Sequence, residues 1–114
     1  MIDALLGAMG EKDIGQLFPD SDPEYKDIRS TKLLKEVVGR IKKKKMEILS
    51  IDSVIIAEKP KLAAFLPQMK KILCPILGIA QRDLGIKAKT NEGLGAIGRG
   101  EAIASLVQVL MGEK

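Results

Sequence analysis

Between Lys87 and Glu101 the chain reads Lys-Ala-Lys-Thr-Asn-Glu-Gly-Leu-Gly-Ala-Ile-Gly-Arg-Gly-Glu. These residue types suit a phosphate group. Glycines let backbone N–H groups approach an anion closely, Lys87, Lys89 and Arg99 supply neutralising charge, and the Thr90 hydroxyl can donate to a phosphate oxygen. Glu92 is a hard oxygen ligand of the kind that carries a divalent cation bridging phosphates. The tract matches neither the Gly-x-Gly-x-x-Gly dinucleotide turn nor the Gly-x-x-x-x-Gly-Lys-Ser/Thr loop. A glycine-rich linker entering a helix uses the same residues.

Two other groups carry chemistry. In Asp13-Ile-Gly-Gln-Leu-Phe-Pro-Asp-Ser-Asp22 the carboxylates can accept hydrogen bonds from ligand hydroxyls, or cap backbone in turns, the commoner use of Asp in such a place. Ala57-Glu-Lys-Pro-Lys-Leu-Ala63 leaves an apolar segment with two lysines and a proline-stiffened backbone, which fits a ligand loop or a plain surface turn. All three groups fall in turns or at strand ends, where open α/β sheets place their ligand sites. They are expected to converge in one cleft.

Composition narrows the chemistry. The chain has 114 residues, 46% of them hydrophobic and 30% charged, which describes one ordinary globular domain over residues 1–114. With no Trp, one Tyr and two Phe, no aromatic platform exists for stacking bases. The net charge of +4 owes much to Lys42-Lys-Lys-Lys45, read as the positively charged end of a helix rather than a nucleic-acid patch. The lack of histidine removes the commonest general base and zinc ligand together. The single Cys74, in an apolar run, reads as a core residue in a reducing compartment. No stretch nears the roughly eighteen apolar residues of a membrane span and the start has no signal-peptide pattern, so a cytoplasmic protein is expected.

The elements that must position these groups follow from periodicity. Met1 to Met9 reads as a helix stopped by Gly10, entered without a capping residue, and residues 11–26 as an ordered surface loop anchored by Leu17 and Phe18. A helix from a Ser30 or Thr31 cap carries Leu33, Leu34, Val37, Val38 and Ile41 and ends in the lysine run. Ile48 to Ala57 reads as a mostly buried strand, Pro67 to Leu77 as a helix weakened at Pro75, and Leu84 to Ala88 as a short strand. Arg99 to Met111 reads as a last helix burying Ile103, Leu106, Val107 and Leu110. The fold class expected is α+β with α/β character: helices packed on one face of a sheet built around a right-handed βαβ crossover. Two strands alone leave unpaired edges, so further strands must come from elsewhere in the polypeptide or from partner subunits.

Taken in order, several stretches resemble the 2-C-methyl-D-erythritol 2,4-cyclodiphosphate synthase family. They are Asp3-Ala-Leu-Leu-Gly-Ala8, Asp13-Ile-Gly15 with Phe18-Pro-Asp-Ser-Asp22, Pro67-Gln-Met69, and Lys87-Ala88 through Thr90-Asn-Glu-Gly-Leu-Gly95 to Gly98-Arg-Gly-Glu101, with the spacing of Ala57, Pro60 and Lys61. The resemblance covers essentially the whole chain. It implies a homotrimer of α+β subunits with active sites between neighbours, in a bacterial cytoplasm. It also implies an intramolecular phosphoryl transfer in which the substrate's 2-phosphate attacks the β-phosphate of its cytidine diphosphate arm and expels CMP.

By the same resemblance, Asp13, Ile14, Gly15, Phe18, Pro19, Asp20, Ser21 and Asp22 would hold the methylerythritol part. The backbone of Ala57, Glu58, Lys59, Pro60, Lys61, Leu62 and Ala63 would recognise cytosine. Thr90 would steady the reacting phosphates as the catalytic group, with Ala88, Lys89 and Asn91 beside it, and Glu92 would ligate Mg²⁺ or Mn²⁺. Arg99 and Glu101 would lie near the three-fold axis, where the family is linked to an isoprenoid-diphosphate cavity that Ala96 would help shape. The family's Zn²⁺ ligands are histidines and an aspartate, expected upstream of Met1, so the chain reads as an incomplete C-terminal portion that is inactive alone. Lys89 and Ala96 depart from the family's preferred Thr and Phe. Two other readings use the same cations: a non-catalytic phosphate- or nucleotide-binding module, and a small basic nucleic-acid-binding protein. No nucleic acid or membrane partner is implied by the family.

Overall fold

A computed structural model describes residues 1–114. Helix α1 spans Ile2–Ala8 and stops at Gly10, whose φ of 74° is the left-handed conformation that glycine adopts without strain. A short helix α2, Ile14–Leu17, lies within the loop expected over residues 11–26. Helix α3, Ser30–Lys43, starts from Arg29 with no side-chain cap, so Ser30 is its first helical residue rather than its capping group. Strand β1 is Met46–Ile56, helix α4 Leu66–Leu77 and strand β2 Leu84–Lys89. Pro75 lies inside α4 without ending it, and the helix closes at Gly78 with φ 70°.

The last element differs from the sequence expectation. Residues Ala104–Glu113 form strand β3, not a helix, after a four-residue helix α5 at Gly95–Gly98. Ile103, Leu106, Val107 and Leu110 fit a helical stripe, yet Val107, Val109 and Met111 also alternate, and a short apolar run satisfies both periods. Pairing decides between them. β3 lies antiparallel against β1 from Met46↔Glu113 to Ile56↔Ala104, with one irregularity between Ile48 and Ser50. Its backbone groups thus close an edge that β1 would otherwise expose.

The sheet therefore has three strands in the order β2-β1-β3, with β1 parallel to β2 from Ile51↔Leu84 to Ile56↔Lys89. The missing partner for β1 comes from this chain itself. On one face α1 packs against β3, α3 against β1, and α4 against β2 and α3. Between these layers Leu5, Leu6, Val37, Ile41, Ile51 and Leu84 are almost wholly buried, each contributing about 1.5–3 kcal/mol by transfer from water. Cys74 belongs to this core, as expected. The buried Ser53 hydroxyl donates to the Gly85 carbonyl at 2.7 Å, so the one buried polar side chain is satisfied.

The opposite sheet face is open. β1 alternates between buried and exposed rather than being mostly buried, and Leu106 and Leu110 of β3 are 63% and 59% exposed. Ile103, just before β3, is 60% exposed.

Candidate functional site

β1 and β2 are parallel, so their C-terminal ends emerge side by side, and both lead directly into residues singled out for chemistry. The Ala57 N–H donates to the Lys89 carbonyl at 2.9 Å and extends the ladder by one bond beyond the strands. Past this point the chains diverge around a pocket of about 160 Å³, lined by Ala57, Glu58 and Pro60 to Ala63 on one side and by Ala88, Lys89 and Thr90 on the other. Two groups far apart in sequence meet here. This is where a parallel sheet leaves unpaired backbone and no covering helix.

The turn beyond Thr90 is wired internally. The Glu92 N–H donates to Thr90 Oγ1 at 3.3 Å, Asn91 Nδ2 donates to the Leu94 carbonyl at 2.8 Å, and the Leu94 N–H donates to the Asn91 carbonyl at 3.0 Å. Glu58 reaches across from the other loop. Its Oε2 accepts from the Asn91 N–H at 3.0 Å and its Oε1 from the Gly93 N–H at 3.2 Å. Glu92 takes φ 53°, a left-handed value unusual for a residue with a side chain, and its carboxylate is exposed.

Sequence and fold comparisons bear on the chain as a whole. A family model described as the YgbB family matches residues 1–112. The chain is 49% identical over 113 residues to the 2-C-methyl-D-erythritol 2,4-cyclodiphosphate synthase of Caldicellulosiruptor bescii, covering 99% of this chain and 72% of that protein. It is 55% identical over 105 residues to the synthase of Clostridium acetobutylicum, covering 92% and 68%. The chain belongs to this synthase family. A Plasmodium falciparum IspF solved as a CDP complex superposes with a TM-score of 0.87 at 33% identity, over 99% of this chain and 67% of that one. The bifunctional IspDF of Campylobacter jejuni superposes at 0.90 and 37% identity, over 96% of this chain and 30% of that one. Synthases of this family are lyases of isoprenoid biosynthesis, and their mixed α+β fold is the one seen here.

Measured against that family's expected site, the structure brings the second and third groups together and leaves the first apart. No residue from Asp13 to Asp22 lines the pocket. Asp13 is the N-cap of α2, its Oδ1 accepting from the Gln16 N–H at 2.9 Å, and Asp22 accepts from the Glu24 N–H at 3.0 Å. The Ile14 N–H donates to Asp3 at 2.8 Å. Phe18 is buried, its ring edge-on to Tyr25 at 5.1 Å and under the Arg40 guanidinium at 5.4 Å. That ring is a core group, so what this residue offers a ligand is backbone. Gly15, Asp20 and Ser21 are exposed, with Pro19 half-buried. Convergence of all three groups in one cleft is not met within a single chain.

The cations divide in the same way. Lys87 points to the open sheet face and pairs with Asp52, which holds the Asp52 carboxyl below its usual pKa through that hydrogen bond. It is not beside the pocket. Arg99 is held by Glu101, with Nε at 3.1 Å from Oε1 and a second nitrogen at 3.2 Å from Oε2. Lys89 and Lys61 line the pocket and take part in none of the ion pairs, whereas Lys59 lies exposed outside it. Ala96 lies exposed in α5.

The lysine run behaves as a helix end. Lys42 and Lys43 complement the C-terminal dipole of α3. Lys44 donates to the Met9 carbonyl at 3.2 Å and pairs with Glu11 at 2.9 Å, lowering the Glu11 pKa mainly through that hydrogen bond.

Glu92 suits Mg²⁺ or Mn²⁺, because such an ion takes one or two protein carboxylates and completes its shell with waters and substrate phosphates. Zinc is a different case. The chain has no histidine and no cluster of three or more His, Cys, Asp or Glu, so the residues present do not form a zinc-type donor set. The Glu58 bridge was not legible in the sequence, since the two hydrogen bonds span 33 and 35 residues.

Proposed function

We propose that this chain supplies the cytosine- and diphosphate-binding part of a 2-C-methyl-D-erythritol 2,4-cyclodiphosphate synthase. The observation that carries the reading is one pocket shared by Ala57, Glu58 and Pro60 to Ala63 on one side and by Ala88 to Thr90 on the other. Its rim offers backbone groups beyond the Ala57–Lys89 bond for reading a base edge. Lys89 and Thr90 line its other wall, and Glu92 follows in the turn just beyond, its N–H bonded to Thr90 Oγ1.

The reaction is an intramolecular phosphoryl transfer on 4-diphosphocytidyl-2-C-methyl-D-erythritol 2-phosphate. An oxygen of the 2-phosphate forms a bond to the β-phosphorus, the bond from that phosphorus to the bridging oxygen breaks, and CMP leaves with that oxygen. The protein need form no covalent bond, because positioning and charge neutralisation dominate such transfers. Thr90 donates its hydroxyl to a phosphate oxygen, and Lys89 neutralises charge on the wall beside it. Mg²⁺ or Mn²⁺ held by Glu92 would neutralise the diphosphate. The N–H groups of Asn91 and Gly93 do not take part, since Glu58 already occupies them.

No residue of segment 13–22 lines the pocket of its own chain, which supports an active site completed by a neighbouring subunit of a homotrimer. The open face with Leu106 and Leu110 is the natural contact surface, and Arg99 and Glu101 would then lie near the axis. The right-handed sense that parallel strands favour is the one this reading gives the β1–α4–β2 connection. In this reading residues 1–114 are the C-terminal portion of one cytoplasmic synthase domain, whose Zn²⁺ ligands stand upstream and without which the chain is inactive. The nucleic-acid reading loses support, because Lys44 is already committed to Glu11 and Met9.

Calorimetric titration with CDP tests the pocket, and substrate turnover tests the reaction. The chain should bind CDP saturably, and CMP release with Zn²⁺ and Mn²⁺ should require the zinc-binding part. A folded chain that ignores CDP would remove the reading.

A further inference from the structure

We infer that Glu58 is a positioning residue that locks the phosphate turn to the nucleobase loop at a fixed separation, acting through backbone and not through the ligand. This rests on the synthase reading above. The two carboxylate oxygens are shared out, one to Asn91 N–H at 3.0 Å and one to Gly93 N–H at 3.2 Å, so the side chain straddles Glu92. At its own root Glu58 follows Ala57, whose N–H is tied to Lys89 at 2.9 Å. The two loops are therefore joined at both ends of one short bridge.

Lys59 and Lys61 follow Glu58 closely in sequence, yet none of the ion pairs includes it. A half-buried carboxylate facing two N–H groups instead of two adjacent cations is aimed inward, at the turn. Charge-assisted bonds to N–H are stronger and shorter than neutral ones. They hold Glu92 in its left-handed conformation at φ 53°, with its side chain exposed and outside the bridge's hydrogen bonds. The consequence is specificity for length. A ligand that spans both loops, base at one and diphosphate at the other, needs their separation held fixed, whereas a ligand using the base loop alone does not.

The test compares CDP with cytidine on Glu58→Ala, Glu58→Gln and Glu58→Asp by calorimetry, with amide spectra of each variant. Losing the outer partners that orient a metal ligand typically costs about 10–100-fold in affinity or activity, and Glu58 stands in that relation to Glu92. Glu58→Ala should weaken CDP by about tenfold or more and cytidine by less than about threefold, while the Asn91 and Gly93 amide signals shift and lose exchange protection. Glu58→Gln keeps one acceptor oxygen and should retain more CDP affinity than Glu58→Ala. Glu58→Asp keeps the charge but not the reach, and should show the same selective loss if the alanine variant does not fold. Equal losses for CDP and cytidine would make Glu58 a base contact and overturn the inference, as would an unchanged CDP affinity. If wild-type protein binds neither ligand, the synthase reading fails, while the amide signals still report whether the bridge exists.

Discussion

Gly98 lies against the backbone of Gly93, so close that a β-carbon at Gly98 would stand 2.7 Å from the Gly93 Cα and closer still to its carbonyl group. The neighbour is main chain, which cannot swing aside as a side chain would. Gly93 itself sits at φ 74° and receives the Glu58 bridge. The return of the chain through α5 thus packs directly on the turn that carries Glu92.

Gly98→Ala should therefore cost about 2 kcal/mol or more, the size expected of overpacking against a fixed backbone. Urea denaturation measures it. The same change at Gly7, which has open space around its Cα, lies inside helix α1 and should be neutral or stabilising by up to about 1 kcal/mol. Similar effects at both glycines would refute the contact.

Removing the carboxylate of Glu92 should abolish metal binding by this turn while leaving the fold intact, because its side chain is exposed and makes no hydrogen bond of its own. With Glu92→Gln, Mn²⁺ affinity in the presence of CDP should fall by about tenfold or more. Water-proton relaxation by Mn²⁺ reads this without any assay of activity. Unchanged relaxation would move the metal elsewhere.

Acid should erase two ion pairs in a defined window. Asp52 and Glu11 have folded pKa values lowered by hydrogen bonds from Lys87 and Lys44 respectively. A lowered folded value means that stability from these pairs is present above the unfolded pKa, about 4 for both residue types, and is lost as pH falls through the folded value. Asp52→Asn and Glu11→Gln should each be slightly less stable than wild type at neutral pH and converge with it in acid. Thermal melts from pH 7 to 3 and in high salt follow the difference. Lys87 and Asp52 are exposed and Lys44–Glu11 is partly so, so the effect should shrink with salt.

Leu106→Lys with Leu110→Lys changes the open face of the sheet. In a lone chain both side chains are largely exposed, so the folding stability of a monomer should move by no more than about 0.5 kcal/mol per site. Burial against neighbouring subunits predicts instead that sedimentation shifts from trimer to monomer. A trimer unaffected by two buried lysines would place the contact surface elsewhere.

Much of the fold was readable because its signals are local. The stripe Leu33, Leu34, Val37, Val38 and Ile41 specifies α3, the glycines after α1 and α4 stop those helices, and the run after Leu84 specifies β2. Segment 104–113 was not readable, since a strand is decided by its partner and its residues satisfy a helical stripe equally well. Lys87 was misplaced for a related reason: strand alternation sends it to the face opposite the core, where Asp52 lies beside it in register with Gly85.

The sequence alone determined the residue types of the site and the family to which the chain belongs, because both reside in short runs of neighbouring residues. Only the tertiary structure decided which of those runs meet. The parallel ends of β1 and β2 bring residues 57–63 to 88–90, and a carboxylate reaching over 33 residues of sequence fixes the turn beside them. Segment 13–22 stays apart, held by α1 and by the burial of Phe18. Hydrogen bonds and burial act over ångströms in space, and no spacing along the chain reports them until the strands have paired.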